Sequence, residues 1–215
     1  LARNKKDKPM SEPDHPQTYL ITPPQFELSL FPDVLGAVLD AHAVACVRLA
    51  LSSTDPDDWS SAGDACRAVC HDRDVAIVVQ DHVRLVESLG LDGVHFSDGP
   101  AQVRKAREDL GEDAIVGAYC KASRHAGMSA AEMNADYVAF GPVMAGPLGD
   151  GSVADDELFG WWSQMIEVPV VAEGGLTAGR VTALASMTDF FGVGDEIWGA
   201  DDPAQALNTL LAAAV

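Results

Sequence analysis

The stretch "VPVVAEGGLTAGR", residues 168–180, decides how the rest of the chain is read. An apolar, β-branched run ends at Glu173, two glycines follow, and Thr177 then opens a helix-forming segment. Strand, glycine turn and helix in that order make one βα unit. It is also the layout in which backbone amides cradle an anion, so Gly174 and Gly175 are candidate ligand contacts. Glu173, immediately before them, carries a charge that would repel a phosphate.

The same unit recurs in both directions from this stretch. The strand-like runs are "YLIT" (19–22), "AVACVRLAL" (43–51), "VAIVVQ" (75–80), "GVHF" (93–96), "AIVGAY" (114–119), "YVAFG" (137–141), "VPVVAE" (168–173) and "DFFGVG" (189–194). Amphipathic segments such as "FPDVLGAVLDAH", "PDDWSSAGDACRAVCHDR" and "DDPAQALNTLLAAA" alternate with them, several opening on an Asp, Ser or Thr cap with Pro nearby. Strands that are apolar throughout, each followed by a helix, imply a parallel sheet covered on its outside. Eight such units in about 200 residues predict a single (β/α)8 TIM barrel, an α/β fold, over residues 18–215. An open doubly wound sheet also alternates, but eight units would make it unusually wide, and the first turn has no GxGxxG. The polar, Pro-containing opening, residues 1–17, is predicted to be a disordered tail.

Composition narrows the function. The 215 residues carry 14 Lys and Arg against 33 Asp and Glu, a net charge of -19, which repels nucleic acid and anionic lipid. No apolar run reaches membrane-spanning length and no signal-peptide core follows the N-terminal charges, so the expectation is a cytoplasmic protein. Cys46, Cys66, Cys70 and Cys120 lack the spacing of a zinc knuckle or disulfide framework and read as reduced, mostly buried thiols.

In a barrel of this kind the functional groups stand at the C-terminal ends of the strands. Taken with "YLITPP", "VVQDHVRLVESLGLDGVHFSD", "GEDAIVGAYCKASRHA", "ADYVAFGPV" and the closing "DDPAQAL", the opening stretch gives a chain that resembles the thiamine-phosphate synthase and thiazole tautomerase family from Tyr19 to the C-terminus. The resemblance implies a small (β/α)8 barrel that joins a pyrimidine diphosphate to a thiazole phosphate, releasing pyrophosphate with the help of Mg2+. It places Asp81 at a metal-binding position, with Gln80 where the family has Asn. The second metal carboxylate falls on Pro100, with Asp98 as the nearest substitute. Where the family alternates Gln, Arg and Lys on strand two, this chain has Arg48, Ala50 and Ser52. The loop "VMAGPLGDG" has no Lys, and no hydroxyl before Ser152. The family's strand-five serine and its tautomerases' histidine are absent from Tyr119, Cys120 and Lys121. Strand eight ends in Gly194, Asp195 and Glu196 instead of the family's apolar residue and serine.

The predicted site therefore comprises Asp81, Lys121 and Glu173 as acid-base groups, with Asp81 and Asp98 toward a metal. Arg48, Gln80, His95, Tyr119, Gly141, Gly174, Gly175, Gly194 and Asp195 line the ligand. Several alternatives stay open. Asp195 and Glu196 face either the mouth or solvent, and Lys121 either pairs with Glu173 or stays solvated. His95 is either a core or mouth histidine bonded to a neighbouring strand, or joins Asp81 and Asp98 in a metal set. Cys120 has no evident base, which argues against a nucleophile. Of Trp161 and Trp162, one is expected against the barrel and the other at a subunit contact, in a possible homo-oligomer. The functional expectation is a divergent member of the family with synthase activity impaired or lost, its partner a small heterocycle with or without phosphate. A noncatalytic or regulatory binder with an acidic mouth, or an enzyme of altered acid-base chemistry, is the alternative.

Overall fold

The computed structural model describes residues 15–146 and 151–214. Eight strands alternate with helices along the chain: β1 (Gln17–Ile21), α1 (Phe31–Ala41), β2 (Val44–Leu49), α2 (Pro56–His71), β3 (Ala76–Gln80), α3 (Val83–Leu89), β4 (Gly93–Phe96), α4 (Val103–Leu110), β5 (Ile115–Tyr119), α5 (Arg124–Glu132), β6 (Tyr137–Phe140), α6 (Asp156–Met165), β7 (Val170–Glu173), α7 (Ala178–Leu184) and β8 (Phe190–Val193). A one-turn α8 (Asp195–Trp198) and a last helix α9 (Pro203–Leu211) follow. The strands pair in sequence order and β8 closes on β1, all in parallel. This is the expected single (β/α)8 barrel.

Every predicted strand is present, several shorter than the apolar run that announced it. The run 43–51 yields Val44–Leu49, and 168–173 yields Val170–Glu173. Strands of a tilted barrel overlap their neighbours over only a few residues, so the ends of a run pass into loops. β1 begins at Gln17, whose N–H donates to the carbonyl of Asp189, which corrects the tail boundary predicted at residue 17; residues 1–14 lie outside the described residues. α8 was not foreseen, because "DEIW" is one turn long and shows no periodicity.

Caps fix where the helices begin. Asp55, Ser123, Asp155, Thr177 and Asp202 accept from amides in the first turns of α2, α5, α6, α7 and α9, filling donors the helix itself leaves open. A second device recurs at the bottom of the barrel. Asp92, Asp136 and Asp189, each just before an even-numbered strand, accept from the amides of Ile77, Val116 and Val170 on the strand before it.

Two apolar layers result from alternation along the strands. Outward residues such as Val47, Ile77, Val79, Phe140 and Ala172 pack under the helices with Phe159 and Trp162. Trp162 is fully buried, and Trp161 lies half-buried under the guanidinium of Arg124, 5.0 Å from its ring centre. Inward residues form a small second cluster of Tyr19, Cys46, Val78, Tyr137, Ala139 and Val171. All four cysteines are free and buried, as expected. Among the described residues, no helix is long and apolar enough to cross a membrane.

Candidate functional site

Above the inner apolar cluster lies a buried polar network. Arg48 on β2 reaches across to Glu173 at the end of β7, Nη1 donating to Oε2 and Nη2 to Oε1, each at 3.1 Å. Nη1 also stands 2.6 Å from His95 Nε2 on β4. A guanidinium cannot accept, so Nε2 is the acceptor and the His95 proton sits on Nδ1. From there it donates to the hydroxyl of Tyr137 on β6 at 2.9 Å, which in turn shares a 2.7 Å bond with the hydroxyl of Tyr19 on β1.

Glycines make room for this arrangement. A Cβ on Gly117 would come within 2.1 Å of the Tyr137 ring. One on Gly192 would meet Glu173 Cβ at 2.8 Å, and one on Gly141 would stand 2.3 Å from the Glu173 carbonyl oxygen. Gly141 therefore shapes the site by lacking a side chain.

Charge in the network is settled by burial and pairing. Burial, the largest single influence, disfavours the Arg48 cation, but Glu173 first, with Tyr19 and Tyr137, together outweigh it and hold Arg48 protonated. His95 is driven well below its usual pKa, by burial first and by Arg48 second, and is a neutral imidazole. Burial likewise pushes Tyr19 and Tyr137 well above 10. Glu173 does face the interior, as its place before the glycines suggested. Its charge is nevertheless cancelled by Arg48, which corrects the predicted repulsion from Glu173 and rules out the first of the two alternatives for Lys121, a pairing with Glu173.

The rim holds the remaining predicted groups. Lys121 Nζ lies 3.4 Å from Asp98 Oδ1, with side chains 65% and 94% exposed, so this pair is worth little. Asp81 is exposed, and its two carboxylate oxygens accept from the backbone N and hydroxyl of Ser97, at 2.9 and 2.5 Å. Asp81 (φ 60°) and Lys121 (φ 53°) both hold left-handed backbone just beyond β3 and β5. Gln80 and Tyr119 close the inward rows of β3 and β5, both partly buried. Cys120 is turned outward into the helix layer and burial raises its thiol to about 12, which excludes a thiolate nucleophile.

The residues proposed toward a metal have these partners. Asp81 is engaged by Ser97, Pro100 stands at the second position, Asp98 turns to Lys121, and His95 is inside the barrel bonded to Arg48. Among the described residues no three His, Cys, Asp or Glu side chains gather as metal ligands. The Asp81, His95 and Asp98 set is thereby corrected.

The glycine turn after β7 is intact, with φ +81° at Gly174 and +80° at Gly175, a conformation other residues adopt at a cost. Val143 N donates 2.8 Å to the Gly174 carbonyl, bringing the β6–α6 loop over one side of the turn. On the other side, Glu196 Oε1 accepts from the amides of Gly175 and Leu176, both at 3.0 Å, and Oε2 accepts from Gly194 at 2.8 Å. Asp195 is exposed, so it is the neighbouring acid that reaches the cradle. Residues 147–150 of the predicted "VMAGPLGDG" loop lie outside the described residues. A surface pocket of about 420 Å³ beside this loop is lined by Val143, Asp155, Asp156 and Arg180, and includes neither Arg48 nor Glu173. It lies off both the network and the cradle.

Sequence reasoning missed Tyr19 and Tyr137 as members of the site, and did not foresee that Glu196 bonds the glycine amides. The signal for the tyrosines was available, since each sits at an inward position of an alternating strand. The sequence places Glu196 at the end of strand eight but leaves its direction open between mouth and solvent, because that direction depends on the unforeseen single turn of α8.

Fold and site together define a (β/α)8 barrel with its polar groups at the C-terminal ends of the strands and an amide cradle after strands seven and eight. The family model described as "Thiamine monophosphate synthase" matches residues 18–193. A thiamine-phosphate synthase of Rhodospirillum centenum is 41% identical over 182 residues, covering 84% of this chain and 88% of the relative. One of Erythrobacter litoralis is 36% identical over 214 residues, covering 95% and 100%. The chain belongs to the thiamine-phosphate synthase family. A solved thiamine phosphate pyrophosphorylase from Pyrococcus furiosus shares the fold, with TM-score 0.79 at 22% identity over 92% of this chain and 95% of that one.

Proposed function

We propose that this protein acts in thiamine biosynthesis on the family's small heterocyclic ligands at the barrel mouth, and that the joining reaction is impaired in it or lost. The family and the relatives named thiamine-phosphate synthase support the pathway. The observation that carries the impairment is the engagement of Arg48. Joining a pyrimidine diphosphate to a thiazole phosphate expels pyrophosphate, whose growing charge must meet a positioned cation. In this barrel Nη1 and Nη2 of Arg48 are committed to Glu173 and His95. Its Nε is buried without a partner, and the net charge of the pair is near zero. Lys121 is on the rim against Asp98.

Mg2+ belongs to the family's reaction, and Asp81 is the carboxylate through which this chain would meet it. With Pro100 where the family's second metal carboxylate falls, no step is assigned to the metal. Cytoplasmic placement is part of the same proposal, supported by the four free buried thiols.

A synthase assay beside an unsubstituted family member, with and without Mg2+, tests the reading. The expected kcat/KM is lower by roughly a hundredfold or more, the scale on which single groups that meet transition-state charge act. Turnover equal to that of the reference enzyme would sink it.

A further inference from the structure

Two loops, from opposite sides of one strand junction, aim three backbone amides at a single point, and that point is filled by the protein itself. Gly175 and Leu176 come from the turn after β7, and Gly194 from the end of β8. Glu196 is held there by its own helix turn. Ile197 is fully buried, and the Trp198 indole donates to the Ile21 carbonyl at 2.6 Å, so α8 cannot rotate without losing both anchors. Met144 closes the side opposite, a Cβ on Gly175 coming 3.1 Å from its Cβ. An anion hole is thus present, and its occupant is a carboxylate of this chain.

We propose that Glu196 is a specificity-determining residue. It occupies the amide cradle in place of a phosphate and sets the mouth for an uncharged, hydroxyl-terminated heterocycle over the corresponding phosphate ester. A carboxylate offers about four acceptor positions, and the three amides use three of them. The remaining one accepts a hydroxyl proton from a neutral ligand. A phosphate ester reaching for the same amides must expel Glu196, or else sit about 5 Å from it, where like charges cost roughly a hundredfold in affinity. The choice of heterocycle rests on the function proposed above; the exclusion of phosphate rests on the three amide contacts alone.

The test compares wild type with Glu196→Ala and Glu196→Gln, the amide variant keeping the side chain's length should the alanine form fail to fold. Calorimetry with the thiazole alcohol and with its phosphate ester is expected to show wild type preferring the alcohol. Each folded variant should shift the ratio toward the ester, by tenfold or more for Glu196→Ala and less for Glu196→Gln. A wild type that binds the ester at least as tightly as the alcohol, or a ratio unmoved in a folded variant, overturns the proposal. Inorganic phosphate titrated against ¹⁵N-labelled protein separates the two readings. Shifts of the Gly175, Leu176 and Gly194 amides in the variants but not in wild type uphold Glu196 as the occupant, even if neither thiazole binds and the family ligand is wrong. Equal shifts in wild type, or none in either variant, refute it.

Discussion

At the scale of single residues, the Arg48–Glu173 pair shows why a buried ion pair is a poor measure of stability and a good marker of commitment. Its two hydrogen bonds and the bond to His95 satisfy charges that burial would otherwise penalise heavily. Removing one partner leaves the other stranded. Arg48→Met is expected to lower the free energy of unfolding by about 3–5 kcal/mol, and Glu173→Leu by a similar amount. The double variant should lie within about 2 kcal/mol of the parent, since no charge is then left unpaired. Urea denaturation of all four proteins checks this, and single variants within about 1 kcal/mol of wild type would show that the pair is not desolvated. The sequence picked out Arg48, His95 and Glu173 separately. It did not join them, because alternation tells which face a residue occupies but not how far across a barrel a side chain reaches.

Elements were more legible than contacts. The apolar run before each predicted helix and the Asp, Ser and Thr caps are local signals, and local signals survive in the structure. What escaped was α8, too short for a period, and with it the direction of Glu196. The acids at the bottom of the barrel escaped too. Asp136 accepts from the Val116 amide at 2.8 Å and pairs with Arg107, tying β5 to the base of β6 and to α4. Asp136→Ala strands the buried Val116 amide and takes from Arg107 its carboxylate, though the guanidinium keeps the carbonyls of Gly111, Ala114 and Asn134, and is expected to cost about 2–3 kcal/mol. Because it lies at the end opposite the mouth, ligand affinity of the folded variant should be unchanged. Equilibrium unfolding measured beside ligand titration checks both halves, and a loss of affinity at unchanged stability would contradict this separation of ends.

For the molecule as a whole, the barrel was readable because periodicity is a property of the entire chain, whereas the ligand depends on a few side-chain directions that periodicity does not carry. The whole chain also sets the pH response. His95 has a lowered pKa in the fold, so below about pH 6.5 the unfolded chain takes a proton that the buried ring refuses. The unfolded state then binds more protons, and stability falls with falling pH by about 1.4 kcal/mol per unit from this group. The thiols act with the opposite sign. Burial raises Cys46, Cys66 and Cys120 to about 12 and Cys70 higher still, against 9.0 when exposed. Above pH 9 the unfolded chain therefore loses protons that the fold retains, and stability falls as pH rises, by about 1.4 kcal/mol per unit for each thiol and roughly 5 for the four. Tyr19 and Tyr137 steepen that limb above pH 10. A plateau between about pH 6.5 and 9 is the expected outcome, measured as urea midpoints in roughly 0.5 M NaCl, where a Debye length of about 4 Å screens the self-repulsion of a chain at -19. Cys66→Ala should flatten the alkaline limb by about a quarter. Stability that stays level to pH 11 would mean that the thiols are open to water and the layer between barrel and helices is not closed.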